Sequence, residues 1–179
     1  RYDNYRFLRP MLHITCALKC EAKPLIEHFK LKYYKRSHGF NTYINKSRDI
    51  SLTITGIGKL ASATGTMNSV NLFDTKNSDA WINIGIAGHK DLAVGQIRLV
   101  DNISDQSSEQ CWYPQFAFKT NIQFASLITV DIPSAIYQNK MFDMEASGFY
   151  AAAIRIGKAE TIHCLKIISD NEQQSAGHI

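Results

Sequence analysis

The sequence predicts an α/β fold, with a single domain of three αβα layers around a mixed, largely parallel central sheet. Short apolar segments typical of buried strands alternate along the chain with segments of helical character. Such alternation indicates a largely parallel sheet that helices cover on both faces. The 179 residues, 45% of them hydrophobic, suffice for one domain with a sizeable core, and no repeat or long linker divides the chain.

Each element follows from a local pattern. Strands are predicted where a short apolar segment is bounded by polar or glycine-containing turns, at 13–18, 40–44, 50–55, 80–86, 96–100, 126–130 and 161–168. Helices are predicted where apolar or small residues recur at helical spacing, at 21–29, 60–73 and 144–156. Residues 1–11 are expected to form an N-terminal extension to a domain of residues 12–179.

The net charge of +4 comes partly from a basic cluster after the first helix, formed by Lys30, Lys32, Lys35 and Arg36. We interpret this cluster as a solvated basic turn in preference to a nucleic-acid surface. No apolar run reaches the roughly 18 residues that span a bilayer, and the polar start lacks the apolar centre of a secretory signal. We therefore expect a cytoplasmic protein with neither nucleic acid nor membrane as a partner.

Four cysteines are present without a CxxC pair or a matching histidine cluster, at Cys16, Cys20, Cys111 and Cys164. We interpret all four as reduced core or near-core thiols, and we expect no metal and no cofactor.

Three carboxylates stand where predicted strands give way to loops or helices. Asp170 follows the last apolar strand, where its carboxyl could be partly desolvated or could cap a helix, and the sequence alone leaves these alternatives even. Glu145 and Glu21 lie at the starts of helices, where an acidic residue often only complements the helix dipole. Because ligands collect at the carboxyl ends of parallel strands, three convergent carboxylates also suit cleavage of a glycosidic bond.

Other features allow two interpretations. The turn 56–59 (Gly-Ile-Gly-Lys) could bind phosphate at a helix N-terminus, but it matches no nucleotide-binding motif and a tight turn explains it equally well. His89 ends a loop and is either a surface residue or a site residue. An aromatic group is favoured as core packing over a pocket wall, and it comprises Trp112, Tyr113, Phe116 and Phe118.

Several segments, in order, resemble the nucleoside phosphorylase superfamily and within it the methylthioadenosine/S-adenosylhomocysteine nucleosidases. The most specific are Asp-Met-Glu-Ala at 143–146 and Ile-Ser-Asp at 168–170. The others are Thr-Cys-Ala-Leu-Lys-Cys-Glu-Ala at 15–22, Thr-Gly-Ile-Gly-Lys at 55–59 and Asn-Ile-Gly-Ile-Ala-Gly at 83–88. The resemblance implies a nucleoside phosphorylase-like fold, a homodimer, and hydrolysis of an adenine nucleoside, with 5′-methylthioadenosine and S-adenosylhomocysteine as candidate substrates.

The resemblance also implies a role for each site residue. Asp170 would protonate N7 of the leaving purine with help from Ser169, and Glu21 would orient and deprotonate the attacking water. Glu145 would bind the ribose hydroxyls, with Met144 against the sugar. The backbone of Ala87 and Gly88 would line the base and sugar pocket, and Ile132 or Pro133 would stand where the family has an aromatic residue stacking on the purine.

Water is favoured over phosphate as the nucleophile. Asn83 stands where the hexameric phosphorylases carry a phosphate-binding arginine, and a carboxylate facing the nucleophile would repel phosphate. Two alternatives stay open, a phosphate-dependent purine nucleoside phosphorylase and a non-catalytic nucleoside- or adenine-binding relative.

The chain departs from the family at several places. Ile86 and His89 alter the family Gly-Ser-Ala-Gly-Gly segment, and Lys166 replaces an arginine of the last strand. The stretch 101–126 is shorter than in the nucleosidases, and no closing C-terminal helix is expected before Ile179.

Overall fold

The computed structural model describes residues 10–133 and 137–174. These ranges contain three α-helices, α1 (Lys19–His28), α2 (Lys59–Leu72) and α3 (Ala146–Ala153). They also contain ten strands: β1 (Leu12–Cys16), β2 (Lys32–Ser37), β3 (Phe40–Ile44), β4 (Ile50–Ile54), β5 (Ala80–Gly88), β6 (Ile97–Asp105), β7 (Cys111–Trp112), β8 (Phe124–Thr129), β9 (Met141–Asp143) and β10 (Ile162–Asp170). A 3₁₀ turn at Ala159–Thr161 leads into β10.

The strands form one mixed sheet. β1 pairs in parallel with β4 on one side and β5 on the other, and β5 pairs in parallel with β10. Beyond β4, the antiparallel strands β3 and β2 extend the sheet to its edge. The α/β class and the mixed sheet are therefore confirmed.

Half of the sheet closes on itself. β10 pairs with β6, β6 with β8, β8 with β9, and β9 returns to β5 through the pair Gly88–Phe142. The sequence did not predict this ring of five strands, and the regular three-layer arrangement stays a prediction.

Two apolar clusters cover opposite faces of the open half. On β1, Ile14 and Cys16 pack with Ala22 of α1. The alternate residues of the strands point the other way, since Thr53 of β4 bonds through its hydroxyl to Ser69 of α2 (2.9 Å). The larger cluster lies inside the ring and against α3, so the short turn that opens α3 is held firmly beside the strand ends.

The basic cluster is wrong as a turn, because its central residues form the edge strand β2. Exposed lysines suit an edge strand, since they discourage pairing with another chain. The short strands β7 and β9 were not predicted, because two or three residues carry no readable period. Cys16 and Cys164 are buried as expected, but Cys20 and Cys111 are exposed, which corrects the core interpretation for those two.

The predicted N-terminal extension lies outside the described residues except for Pro10 and Met11, and the chain end is likewise outside them from 175 onward. Among the described helices, none is both long enough and apolar enough to cross a membrane.

A buried polar network fastens the amino-terminal ends of three strands, away from the strand ends discussed below. His13 of β1 contacts Ser51 Oγ through Nδ1 (2.8 Å) and Asp79 Oδ2 through Nε2 (3.4 Å). Asp79 also accepts hydrogen bonds from the backbone N–H groups of Met11 (2.9 Å) and Lys76 (2.8 Å). Burial alone would raise the pKa of Asp79, but these donors together lower it below its ordinary value.

This network predicts an acid-sensitive contribution to stability. A carboxyl whose pKa is lower in the folded chain stabilises it above the unfolded value, about 3.9 for aspartate, and stops doing so as the pH falls through the folded value. We expect urea unfolding at a series of pH values to show a shallower acid loss of unfolding free energy in Asp79→Asn than in the unmodified chain. Equal slopes in the two chains would contradict this assignment.

Candidate active site

A cavity of about 240 Å³ opens at the carboxyl ends of β1, β5 and β10, beside the turn that leads into α3. Among its lining residues are seven of the eight predicted site residues: Glu21, Ala87, Gly88, Met144, Glu145, Ser169 and Asp170. The cavity is also lined by Asp143 and Phe142, and its described lining contains no lysine or arginine. The sequence argument from strand ends thus placed these residues together correctly.

Glu21 links the first helix to the central strand. The Leu18 N–H donates to Glu21 Oε2 (2.8 Å), which is the helix-start contact considered as the simpler alternative. Its other oxygen, Oε1, accepts a hydrogen bond from the Ile86 N–H of β5 (3.1 Å). Both backbone contacts fix the carboxylate at the cavity wall, so Glu21 serves the helix start and still faces the site.

Glu145 stands just before α3 but does not cap it. Its Oε1 accepts the Gly58 N–H (2.9 Å) and its Oε2 the Met144 N–H (3.3 Å). Gly58 has φ +102°, a conformation that favours glycine and that lets its N–H meet this carboxylate. Burial raises the pKa of Glu145, an effect opposed by the nearby Lys166 charge and reinforced by Asp143.

Asp170 ends β10 with a different partner on each oxygen. Oδ1 accepts a hydrogen bond from Ser169 Oγ (2.5 Å) and Oδ2 accepts one from Tyr137 Oη (3.0 Å). No helix begins within residues 171–174, so the described part of the chain offers no helix for Asp170 to cap. The capping alternative therefore loses its support here.

A buried ion pair lies beneath the carboxylates. Lys166 of β10 is 1% exposed, and its Nζ lies 2.7 Å from both Asp143 Oδ2 and Asn83 Oδ1. Burial alone would lower the pKa of Lys166, but the surrounding carboxylates, Asp143 foremost, raise it above its ordinary value. A buried ammonium at this depth offsets the mutual repulsion of the acidic groups around the cavity.

The turn 56–59 is occupied by protein groups. Gly58 donates its N–H to Glu145, and Lys59 Nζ lies 2.8 Å from Asp131 Oδ1 and 3.1 Å from Asp105 Oδ2. Two groups that could have bound an anion therefore already face carboxylates, and the tight-turn interpretation fits better than a phosphate cradle.

The remaining candidates lie elsewhere. Ile132 is 74% exposed and outside the cavity lining, which its neighbour Pro133 joins instead. His89 Nδ1 accepts the N–H groups of Asp91 (3.0 Å) and Leu92 (3.1 Å), so this histidine organises its own loop. The predicted aromatic group does not line the cavity. Phe116 and Phe118 pack on each other and on His163.

Sequence reasoning missed the structural part played by three residues. Lys166 could have been found, because one lysine in an otherwise apolar strand must be paired if the strand is buried. Asp143 stood within the Asp-Met-Glu-Ala segment but received no role of its own. Tyr137 gave no signal, because 33 residues separate it from Asp170.

No room exists for a side chain where α3 meets α2. A Cβ added to Gly148 would lie 1.9 Å from the carbonyl oxygen of Lys59, which follows the Gly58 that bonds Glu145. Gly148→Ala must therefore separate the two helix starts, and we expect a loss of roughly 1–3 kcal/mol in unfolding free energy together with a weakened site. Gly157→Ala is the matched control, because its nearest atom would be a Trp81 side-chain carbon at 3.2 Å. Equal thermal stability of the two variants would contradict the close contact.

With this geometry in place, the chain was compared with known proteins. No family model and no curated protein matches it. Solved structures do match, and the fold they share with this chain is the nucleoside phosphorylase-like α/β fold.

The individual structures are nucleosidases. The chain is similar to the 5′-methylthioadenosine/S-adenosylhomocysteine nucleosidase of Helicobacter pylori, with TM-score 0.77, 15% identity, and 95% of this chain and 89% of that chain covered. The Arabidopsis thaliana 5′-methylthioadenosine nucleosidase gives TM-score 0.76, 18% identity, and coverage of 94% and 86%. A futalosine hydrolase mutant of Helicobacter pylori gives TM-score 0.74, 13% identity, and coverage of 91% and 86%. The resemblance predicted from sequence motifs is thus confirmed at the level of the fold.

Proposed function

We propose that the chain is an N-glycosidase that hydrolyses an adenine nucleoside, with 5′-methylthioadenosine and S-adenosylhomocysteine as candidate substrates. The observation that carries the proposal is one cavity that holds Glu21, Glu145 and Asp170 together. Cleavage of a glycosidic bond needs an acid on the leaving group, an activated water and anionic support for a ribose that gains positive charge. These three carboxylates match those three needs.

The departing base is assigned to Asp170. Its carboxyl protonates N7 of the purine, and Ser169 holds the other carboxyl oxygen. The backbone of Ala87 and Gly88 lines the base and sugar pocket, with Ile132 next to Pro133 on the base side of the rim. No cofactor or metal takes part in this scheme.

The sugar and the water are assigned to the two glutamates. Glu145 accepts hydrogen bonds from the ribose hydroxyls, and Met144 packs against the sugar. Glu21, fixed by two backbone N–H groups, orients a water molecule below the ribose and takes its proton. As the bond to the base stretches, the growing positive charge on the ribose is stabilised by both carboxylates.

Water is a better nucleophile than phosphate for this cavity. Phosphate is bound in proteins by arginine, lysine or free backbone N–H groups. The described lining offers four carboxylates and no cation, and the Gly58 N–H and Lys59 are already engaged. A dianion entering this site would meet repulsion, whereas a neutral water would be activated.

The test is adenine release by the purified chain from a panel of adenosine, 5′-methylthioadenosine and S-adenosylhomocysteine, with and without inorganic phosphate. We expect release that phosphate does not accelerate. Strict dependence on phosphate would establish a phosphorylase instead, and tight adenine binding without any release would indicate a non-catalytic relative.

We further propose a cytoplasmic homodimer that binds a small purine nucleoside. Ile57 at the cavity wall is 57% exposed and Leu60, which follows it at the start of α2, is 77% exposed, so apolar side chains lie uncovered beside the cavity. The four free cysteines suit a reducing compartment. Sedimentation velocity tests the dimer, and a monomer at micromolar concentration would contradict it.

A further inference from the structure

The hydroxyl of Tyr137 contacts the proposed acid from outside the cavity lining. It donates to Asp170 Oδ2 (3.0 Å), while Ser169 Oγ binds Oδ1 (2.5 Å). Tyr137 does not line the cavity. It therefore lies behind the carboxyl, where it supports Asp170 without taking the space of a ligand.

The segment that carries Tyr137 is tied to the loop after β5. The tyrosine ring packs on Phe142 with ring centroids 5.5 Å apart, and Phe142 lines the cavity. The Lys90 N–H donates to the Gln138 carbonyl (3.1 Å), and His89 Nε2 lies 3.3 Å from the Asn139 carbonyl oxygen. Because ring and backbone are both held, the hydroxyl has a fixed position relative to Asp170.

Two hydroxyls on one carboxyl restrict its rotation. Each carboxylate oxygen has two lone pairs, so each oxygen keeps one acceptor position for a ligand. With Ser169 on Oδ1 and Tyr137 on Oδ2, the carboxyl plane is fixed and its free positions point into the cavity. Proton transfer depends steeply on such alignment.

We propose that Tyr137 is a positioning residue, which holds Asp170 in the orientation that protonates the leaving base. This inference rests on the proposed hydrolysis of adenine nucleosides. Tyr137 itself does not touch the substrate; it acts through Asp170, so its effect is confined to the step in which the base needs a proton.

The test compares two leaving groups. Tyr137→Phe removes only the hydroxyl and keeps the ring on Phe142. For adenosine or 5′-methylthioadenosine we expect kcat to fall about tenfold, as for loss of a hydrogen bond to a charged group, with KM little changed. For 4-nitrophenyl riboside, whose leaving group departs without a proton, we expect no fall. Tyr113→Phe, at a tyrosine that is 70% exposed, is the matched control.

A double variant gives the same test on one substrate. In an Asp170→Asn background, Tyr137→Phe should cost nothing further, because its effect passes through that carboxyl. Unchanged kcat in Tyr137→Phe, an equal loss on both leaving groups, or an additive loss in the double variant would each overturn the positioning role. If the unmodified chain releases no adenine from any substrate, the proposed function falls first and this inference with it.

Discussion

Asp170→Asn is expected to lower kcat for adenine release by about 10²- to 10⁴-fold, the usual contribution of a general acid. The substitution keeps the shape of the side chain but removes the proton that the departing purine needs. Binding of the nucleoside should survive, since an amide still accepts and donates hydrogen bonds at this position. Steady-state kinetics on 5′-methylthioadenosine measure kcat and KM separately.

Asp74→Asn is the control for that experiment, because it makes the same chemical change at an exposed aspartate. We expect it to be indistinguishable from the unmodified chain. If Asp170→Asn retained full kcat, the acid would have to lie elsewhere, and the assignment of the site would fail while the fold stood.

Lys166→Met is expected to lower the free energy of unfolding by roughly 3–5 kcal/mol, the range seen when one partner of a buried ion pair is removed. Methionine matches the length of the lysine side chain, so the packing loss is small. The cost arises because Asp143, 5% exposed, is left as a buried carboxylate whose strongest partner is gone. Urea unfolding of the purified variant measures it.

Two further variants sharpen this result. Lys158→Met makes the same change at an exposed lysine and should cost little. Adding Asp143→Asn to Lys166→Met should recover part of the loss, because the uncompensated charge disappears. A Lys166→Met variant as stable as Lys158→Met would show that the pair contributes nothing to the folded state.

The parts of the site that could be predicted from the sequence are those governed by strand ends. The apolar run before Asp170 and the helix start at Glu21 each place a carboxylate at the same sheet edge, since parallel strands end together. The Asp-Met-Glu-Ala segment then added Glu145. These three residues do meet in one cavity.

The parts that could not be predicted depend on pairings between distant segments. The strand β9 has three residues and closes the ring through a single pair with β5, which no local pattern encodes. The contact of Tyr137 with Asp170 follows from that closure, because the ring brings residue 137 beside the end of β10. Ile132 was chosen for its position in the chain alone, and in the structure its side chain points largely to solvent.

The most direct test of hydrolysis is to follow the oxygen atom that reaches the sugar. The purified chain is incubated with 5′-methylthioadenosine in water enriched in ¹⁸O, with phosphate present, and the sugar product is analysed promptly by mass spectrometry beside an unlabelled standard that reports exchange. We predict free adenine and a sugar that carries one heavy oxygen from the solvent at the start of the reaction. A sugar 1-phosphate product, or no cleavage at all, would contradict the hydrolytic site built on Glu21, Glu145 and Asp170.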